Sequence, residues 1–449
     1  MSSFSRRIVI ALGISCWVGM LLAQTSSLNI RPKNNSPYSR FGFGDLASQY
    51  YAGAAGMGGL SAAFNDPYHL NILNPASLSY LQATAFEVGV HARYANLRDN
   101  DRSDNLWGGN LSYMALGFPL LNPINRVLDK NDSPWHFGMN LSLQPYTNIG
   151  YNIQSDVVQD GELGATTNIF KGSGGTYRLM WGNGVRYKNL AAGASVGYLF
   201  GKMLNSRRIE FDSLPNAYST EFLDDISIRG LVWNAGIQYT FEIGNKERAS
   251  SRLRRLTIGL YGNSATNFNS NSSRFYQRNN FFGGLVDTLL LETGVRAGGT
   301  LPAQVTAGIM YERANKLKIG AEYSATSWSQ YRNEARPEVL LDANRFALGL
   351  EYIPEFNSYN DYFKRVRYRV GAVYASDPRR INGEQLQEYY LSLGLGLPLI
   401  MPRQQVSFVN ISLEGGRFGA ANAIQENFVR MTFGFTLNDN TWFFKRKFN

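Results

Sequence analysis

The sequence predicts an all-β protein: a transmembrane antiparallel β-barrel of about fourteen strands with an N-terminal hatch in the lumen. Three observations carry this. The 449 residues hold 45 Gly, 26 Tyr and 27 Phe, yet only 17% are charged, against about 25% in an ordinary soluble domain. Stretches of nine or ten residues alternate between apolar and polar side chains, the pattern of a strand with one face of each kind. Beyond the N-terminal leader, no apolar run approaches the roughly 20 residues of a membrane-crossing helix.

The elements follow in chain order. Residues 1–23 read as a secretory signal peptide: Arg6 and Arg7 precede the apolar run Ile8–Leu22, and Ala23 is a small cleavage-site residue. The only cysteine, Cys16, lies inside that run, so the mature chain has no disulfide and no thiol chemistry. Residues 24–80 are rich in Gly and Asn and carry Pro67 and Pro75, which suits irregular backbone with tight turns. Irregular backbone at membrane depth is tolerated only where protein encloses it or water faces it. This head is therefore expected to fill the lumen as a hatch.

Residues 81–438 are expected to form the wall. Phe86, Val88, Val90, Ala92 and Tyr94 alternate with Glu87, Gly89, His91 and Arg93; Val366, Tyr368 and Val370 alternate with Arg365, Arg367 and Arg369; Val429, Met431 and Phe433 alternate with Arg430 and Thr432. Stripes of arginine cannot line the dry interior of a secreted sandwich or propeller, because unpaired buried charge is costly. In a barrel with a polar lumen the apolar face meets lipid and the charged face looks inward. Glu87, His91, Arg93, Arg365, Arg367, Arg369 and Arg430 are thus expected to face the lumen. Strands are placed from 83–95 to 425–438, including single runs at 254–270, 290–312 and 364–378. The short joints, such as Lys188-Asn189, read as periplasmic turns. The polar stretches 156–172, 205–224, 271–289 and 331–341 read as outer loops. Joints 120–134 and 243–253 fit less well, so twelve or sixteen strands stay open. The tail 439–449, with Trp442, Phe443 and Phe444 beside Lys445, Arg446 and Lys447, is expected in the periplasm, either against lipid headgroups or as a solvated tail.

Charge and motifs exclude several classes. The net charge of +10 is spread along strands, not clustered in an arm, so nucleic acid is not an expected partner. An anionic lipid surface fits better. His69, His91 and His136 match no metal-ligand spacing, Asp66 and His69 have no serine elbow to serve, and "GSGG" at 172–175 lacks the following Lys-Thr/Ser of a phosphate loop. No enzyme, metal or cofactor is expected.

The stretch "AGAAGMGGLSAAFNDPYHLNILNPASLSYL", Ala52–Leu81, resembles the hatch signature of the FadL-like outer-membrane barrels, the long-chain fatty-acid transporter superfamily. The match centres on Asn74-Pro75-Ala76. "LPAQVTAGIMYERANKLKIGAEYSATSWSQY" (Leu301–Tyr331) and "RVGAVYASDPRRINGEQLQEYYLSLGLGLPL" (Arg369–Leu399) are similar to strand pairs of that superfamily. "NNSPYSRFGFGDL", "GLGLPL" and the closing "GFTLNDNTWFFKRKF" look like a Bacteroidota subset of uncertain function. The resemblance implies that hydrophobic ligands enter from outside and leave through a kink in a wall strand. Asn74, Pro75 and Ala76 then sit at the gate, or form a turn that merely seats the hatch. Phe41 and Phe43 line a hydrophobic pocket or pack the hatch on the wall.

Two functions follow. One is an outer-membrane channel or transporter for hydrophobic small molecules, which needs an apolar pocket between hatch and wall and a lateral opening. The other, also implied by resemblance because the barrel beside the type IX secretion translocon is FadL-like, is a non-transporting subunit of an outer-membrane secretion or assembly complex. That reading needs a sealed lumen and a sticky rim. Expected partners are outer-membrane lipids and lipopolysaccharide, hydrophobic small molecules, or other outer-membrane or periplasmic proteins.

Overall fold

The computed structural model describes residues 36–439, apart from 100–101, 121–132, 159–164, 212–213, 215–216, 245–252, 281–282 and 401–404. The signal peptide, the first part of the head and the aromatic tail lie outside the described residues, as do most of joints 120–134 and 243–253.

One antiparallel sheet closes on itself. Its wall strands are β1 (Thr84–Asp99), β2 (Arg102–Pro119), β3 (Trp135–Val158), β4 (Ala165–Tyr187), β5 (Leu190–Phe211) and β6 (Ser219–Ile243). β7 has two segments, β7a (Arg254–Asn263) and β7b (Thr266–Asn279), and β8 is likewise split into β8a (Leu285–Leu301) and β8b (Gln304–Arg313). Then come β9 (Leu317–Thr326), β10 (Ala343–Tyr352), β11 (Arg367–Ile381), β12 (Glu384–Ile400), β13 (Val406–Gly419) and β14 (Gln425–Asp439). Fourteen wall strands result, and β14 closes on β1 from Gln425↔Arg98 to Asp439↔Thr84. Closure leaves no sheet edge along the paired wall, which is what lets a sheet cross lipid.

The alternation read from the sequence sets the two faces. Val90, Leu179, Val196, Leu260, Leu348 and Leu391 are exposed on the outside, as a lipid-facing band requires. Glu87, Gln144, Gln238, Ser392, Asn410 and Glu414 are buried on the inside. The short turn at Lys188-Asn189 has Lys188 at φ 53°, and Asn315 takes φ 56° in the turn between β8b and β9.

Three stretches expected as long loops are mostly strand. β3 runs to Val158 and β4 starts at Ala165; β5 and β6 reach Phe211 and Ser219; β7b and β8a reach Asn279 and Leu285. Their Ser-, Asn- and Thr-rich sequence resembles loop, but cross-strand partners take up the backbone, on both sides of β4, β5, β6 and β7b and on one side of β3 and β8a. β3 to β8a therefore rise beyond the rest of the barrel as a tall sheet. The fourth expected loop, 331–341, folds inward: Tyr331 and Leu340 are buried beside Phe43 and Phe268, together with Trp328 just before it.

Candidate functional site

Residues 36–83 run inside the wall, touching strands around its whole circumference. Two tracks of glycine make room for them. Gly138, Gly184, Gly193 and Gly236 stand opposite one another in a single row across β3, β4, β5 and β6. A Cβ there would come within 2.0 Å of Leu78 O, 2.5 Å of Pro75 O, 2.4 Å of Pro75 C and 2.1 Å of Asn74 Oδ1, respectively. Asn74-Pro75-Ala76 thus lies flat on a track that only glycine permits. On the other side Gly349 and Gly371 pair across β10 and β11, and a Cβ on either would strike the backbone of Met57 or Gly58 at 2.3 or 2.2 Å. Part of the unusual glycine content is explained by this close approach.

Asn74 is fully buried and caps the 3-10 turn Pro75–Tyr80, its Oδ1 accepting from Ala76 N at 3.1 Å. Its Nδ2 donates to Ala62 O at 2.7 Å. Proline at the first turn position costs no hydrogen bond. These contacts make the tripeptide a firmly held turn.

A cluster of charges locks the inner segment to the wall. Arg367 Nη1 donates to Asp66 Oδ2 at 2.7 Å, and Lys318 Nζ lies 3.3 Å from the same oxygen. Arg369 pairs with Glu351 at 2.6 Å and donates to Asn410 Oδ1 at 2.8 Å. Burial alone would raise the Asp66 carboxyl; Arg367 and Lys318 outweigh it and hold it well below the usual carboxylate range. Nearby, Glu322 Oε2 accepts from Ser61 N and Ala62 N, both at 2.6 Å, and Arg345 pairs with its other oxygen. Glu87 accepts from Leu70 N at 3.0 Å and faces His69 Nδ1 at 3.2 Å. His69 stacks on Tyr51 with centroids 4.9 Å apart. Each carboxylate named here has a cation, an imidazole or backbone N–H groups within reach, which is the condition for keeping charge inside.

The other sequence-predicted residues distribute as follows. Arg93 pairs with Glu426 at 2.7 Å, Arg430 with Glu414 at 2.5 Å, and His91 Nδ1 meets Ser112 Oγ at 3.0 Å. Arg365 departs from expectation. It ends the 3-10 turn Phe363–Arg365 below β11 and lies over the Tyr362 ring, because Asp361 takes the Phe363 N–H and starts a turn where the alternation suggested strand. Phe43 is buried among Tyr146, Phe268 and Tyr331, and Phe41 packs half-buried at the edge of the other core cluster. Sequence reading missed Asp66, Glu322, Lys318 and Glu351 as lock residues. The last three sit on polar faces of alternating strands, a signal that was available; no local pattern distinguishes Asp66 from a turn aspartate.

The wall is interrupted twice. β2 and β3 pair only from Met114↔Leu143 to Pro119↔Gly138. Above that, at a bulge beside Pro145, the inner segment supplies its own short strand: Asp45–Leu46 pairs with Asn148 and Thr147, Ala47 N donates to Tyr146 O at 3.0 Å, and Asn110 Nδ2 bridges to Asn148 at 3.1 Å. The second interruption splits β7 and β8 at one level, Ser264-Ala265 opposite Pro302-Ala303. Asn263 Nδ2 donates to Pro302 O at 3.1 Å and Ser327 N to Ala303 O at 2.9 Å. Three cavities lie along the inner segment. One of about 50 Å³ beside the second interruption has a mixed lining, with Ile72, Leu73 and Met180 alongside Gln49, Arg178 and Asn234. Another of about 70 Å³ holds His91, Arg93 and Arg430. The largest of the three, about 230 Å³, holds Tyr50, Arg93, Arg345, Arg379, Glu388 and Arg430. Small-molecule sites generally measure about 300–1,000 Å³ and are mostly apolar.

The sequence profile of the BamG family matches residues 7–449. The chain belongs to the BamG family. Solved structures share its fold at low identity. A Pseudomonas aeruginosa FadL homologue matches with TM-score 0.56 and 13% identity, over 87% of this chain and 98% of that one. The Ralstonia pickettii toluene transporter TbuX gives 0.52 and 14% over 87% and 98%. The Pseudomonas putida toluene transporter TodX gives 0.52 and 14% over 88% and 99%. The chain thus shares the barrel fold of these outer-membrane proteins. No curated protein sequence matches it.

Proposed function

We propose that this BamG-family barrel is a closed member of the FadL-like superfamily, serving as a non-transporting structural subunit of an outer-membrane protein assembly. Residues 36–80 act as a hatch that stays shut, with both chain ends in the periplasm and the tall sheet outside the cell. One observation carries this reading: the hatch is tied to the wall inside the lumen by the buried cluster Asp66–Arg367–Lys318 and by Glu322, which holds the Ser61 and Ala62 N–H groups and pairs with Arg345. A greasy conduit would have to break these pairs for each passage, leaving bare charges in a dry interior. The side gap between β2 and β3 is also filled by the hatch's own strand. Purification from native outer membranes in gentle detergent tests the reading. Partner proteins at fixed stoichiometry support it; a solitary barrel carrying hydrophobic small molecules overturns it.

A second reading is favoured by the aligned interruptions in β7 and β8 beside the cavity of Ile72, Leu73, Met180 and Trp233. Here hydrophobic small molecules pass sideways into the membrane at that break, a reading suggested by the likeness to the toluene transporters TbuX and TodX. Uptake of a radiolabelled aromatic or long-chain acid, with and without the barrel, separates the two.

A further inference from the structure

The tall sheet ends in an open edge. β8a pairs along its length with β7b, from Leu285↔Asn279 to Leu301↔Thr266. On its other side, among the described residues, it meets only the two-residue strand Arg332–Asn333, opposite Thr300 and Gly299, and then Glu334. The Glu334 N–H donates to Gly298 O at 3.0 Å, and its Oε2 accepts from Gly298 N at 2.7 Å. β9, which would continue the sheet here, ends at Thr326. Among the described residues, none pairs with residues 285–296 on that side. Leu285, Val286, Leu289, Leu291 and Val295 are 43 to 64% exposed there. Lipid does not account for them, because Leu291 lies about 30 Å along the strand beyond Thr300. The outward apolar residues of neighbouring β6 stop near that row, at Leu231 and Trp233.

We infer that the β8a edge is a docking site for an extended segment of a different protein, which adds to the sheet as an antiparallel strand in line with Arg332–Asn333. The inference rests on the assembly-subunit reading. An unpaired edge is a template for strand addition, with backbone bonds giving affinity and side-chain pockets giving selectivity. Arg332–Asn333 already pairs with this edge antiparallel, the direction that the proposed strand continues. Gly298 directs both its N–H and its carbonyl to this side, so Arg296, two residues on in the regular part of the strand, does the same. A second copy does not fit. Two barrels in one membrane are related by an axis along the membrane normal, which leaves their β8a strands parallel. The occupant therefore has an alternating apolar sequence and belongs to another chain exposed at the same membrane face.

The test is photo-crosslinking in cells that carry the protein natively, with a photoreactive residue at Leu291, Val295 or Lys171. Lys171 is the control: it lies in the same cross-strand row as Leu291, through Ser206, Leu223 and Phe275, but between paired neighbours. The expected result is one protein adduct from both β8a positions and none from Lys171. The Leu291 crosslink should map about four residues C-terminal of the Val295 crosslink on the partner, the reverse order of an antiparallel pair. Arg296→Pro, which removes an outward N–H while leaving the β7b ladder intact, should cut adduct yield at least about tenfold. Adducts only to lipid, only to this chain, in parallel order, or equally from Lys171 would overturn the inference. So would stoichiometric partners in the gentle purification without β8a adducts, an outcome that leaves the subunit reading standing. A solitary barrel in that purification would sink both.

Discussion

Replacing Arg367 by alanine should release the inner segment from the wall. The guanidinium is 2.7 Å from Asp66 Oδ2 and both residues are buried. Two unit charges about 4 Å apart attract by about 4 kcal/mol at an effective dielectric of 20, and losing one member of a buried pair costs about 3–5 kcal/mol. Lys318, 3.3 Å from the same carboxylate, keeps part of the neutralisation, so about 3 kcal/mol is expected, the low end of that range. At 1.4 kcal/mol per factor of ten, the open population rises roughly a hundredfold. Proteolysis of residues 36–83 in the detergent-solubilised barrel reads this directly when cleavage is slow relative to reclosing. Arg367→Ala should be cut about a hundred times faster than the natural chain. Adding Asp66→Asn removes the stranded charge and should bring the rate back to within about tenfold. Equal cleavage of Arg367→Ala and the natural chain would refute the charge lock. A double variant as labile as the single one would show that lost packing, not charge, holds the segment.

Three further outcomes follow from the same contacts. Gly193→Ala places a Cβ against Pro75 and Ala76 backbone and should cost about 1–3 kcal/mol, seen as a lower thermal midpoint; Gly415→Ala, with open space around it, should leave the midpoint unchanged. Glu322→Ala strands the Ser61 and Ala62 N–H groups and should destabilise by about 2–5 kcal/mol, whereas Glu322→Gln keeps one acceptor and should lose less than half of that. The folded Asp66 carboxyl titrates below its unfolded value, so its stabilisation is fully present above the unfolded pKa near 4 and disappears only as pH falls through the folded value. Protection of residues 36–83 from an acid-tolerant protease should therefore hold from pH 7 down to about pH 4; loss of protection between pH 6 and pH 5 would place the controlling group elsewhere.

The fold was legible because lipid and lumen force a period of two on every wall strand, and β1, β11 and β14 show it plainly. Strand ends were less legible. Polar hairpins such as 266–301 pair strand to strand through Ser- and Asn-rich sequence that looks like loop, so part of β7b and β8a reads as loop. The breaks in β7 and β8 needed the register, although Pro302, which lacks an N–H, marks one of them. The glycine tracks were visible only as a composition excess. Gly138, Gly184, Gly193 and Gly236 are spread over a hundred residues, and only the strand register lines them up. Arg367 and Arg369 stood out as inward charges, but Asp66 lies 301 residues from Arg367, and Glu351 meets Arg369 only through the register of neighbouring strands. Arg365 was misplaced because a local Asp361 turn overrode an alternation that otherwise ran on.

The closed lumen is tested most directly by single-channel recording of the purified full-length mature barrel in a planar lipid bilayer. The charge-locked inner segment and the strand-filled side gap predict a silent barrel, with conductance steps emerging only when Arg367→Ala unseats the segment. Stable open steps from the natural chain would contradict the account.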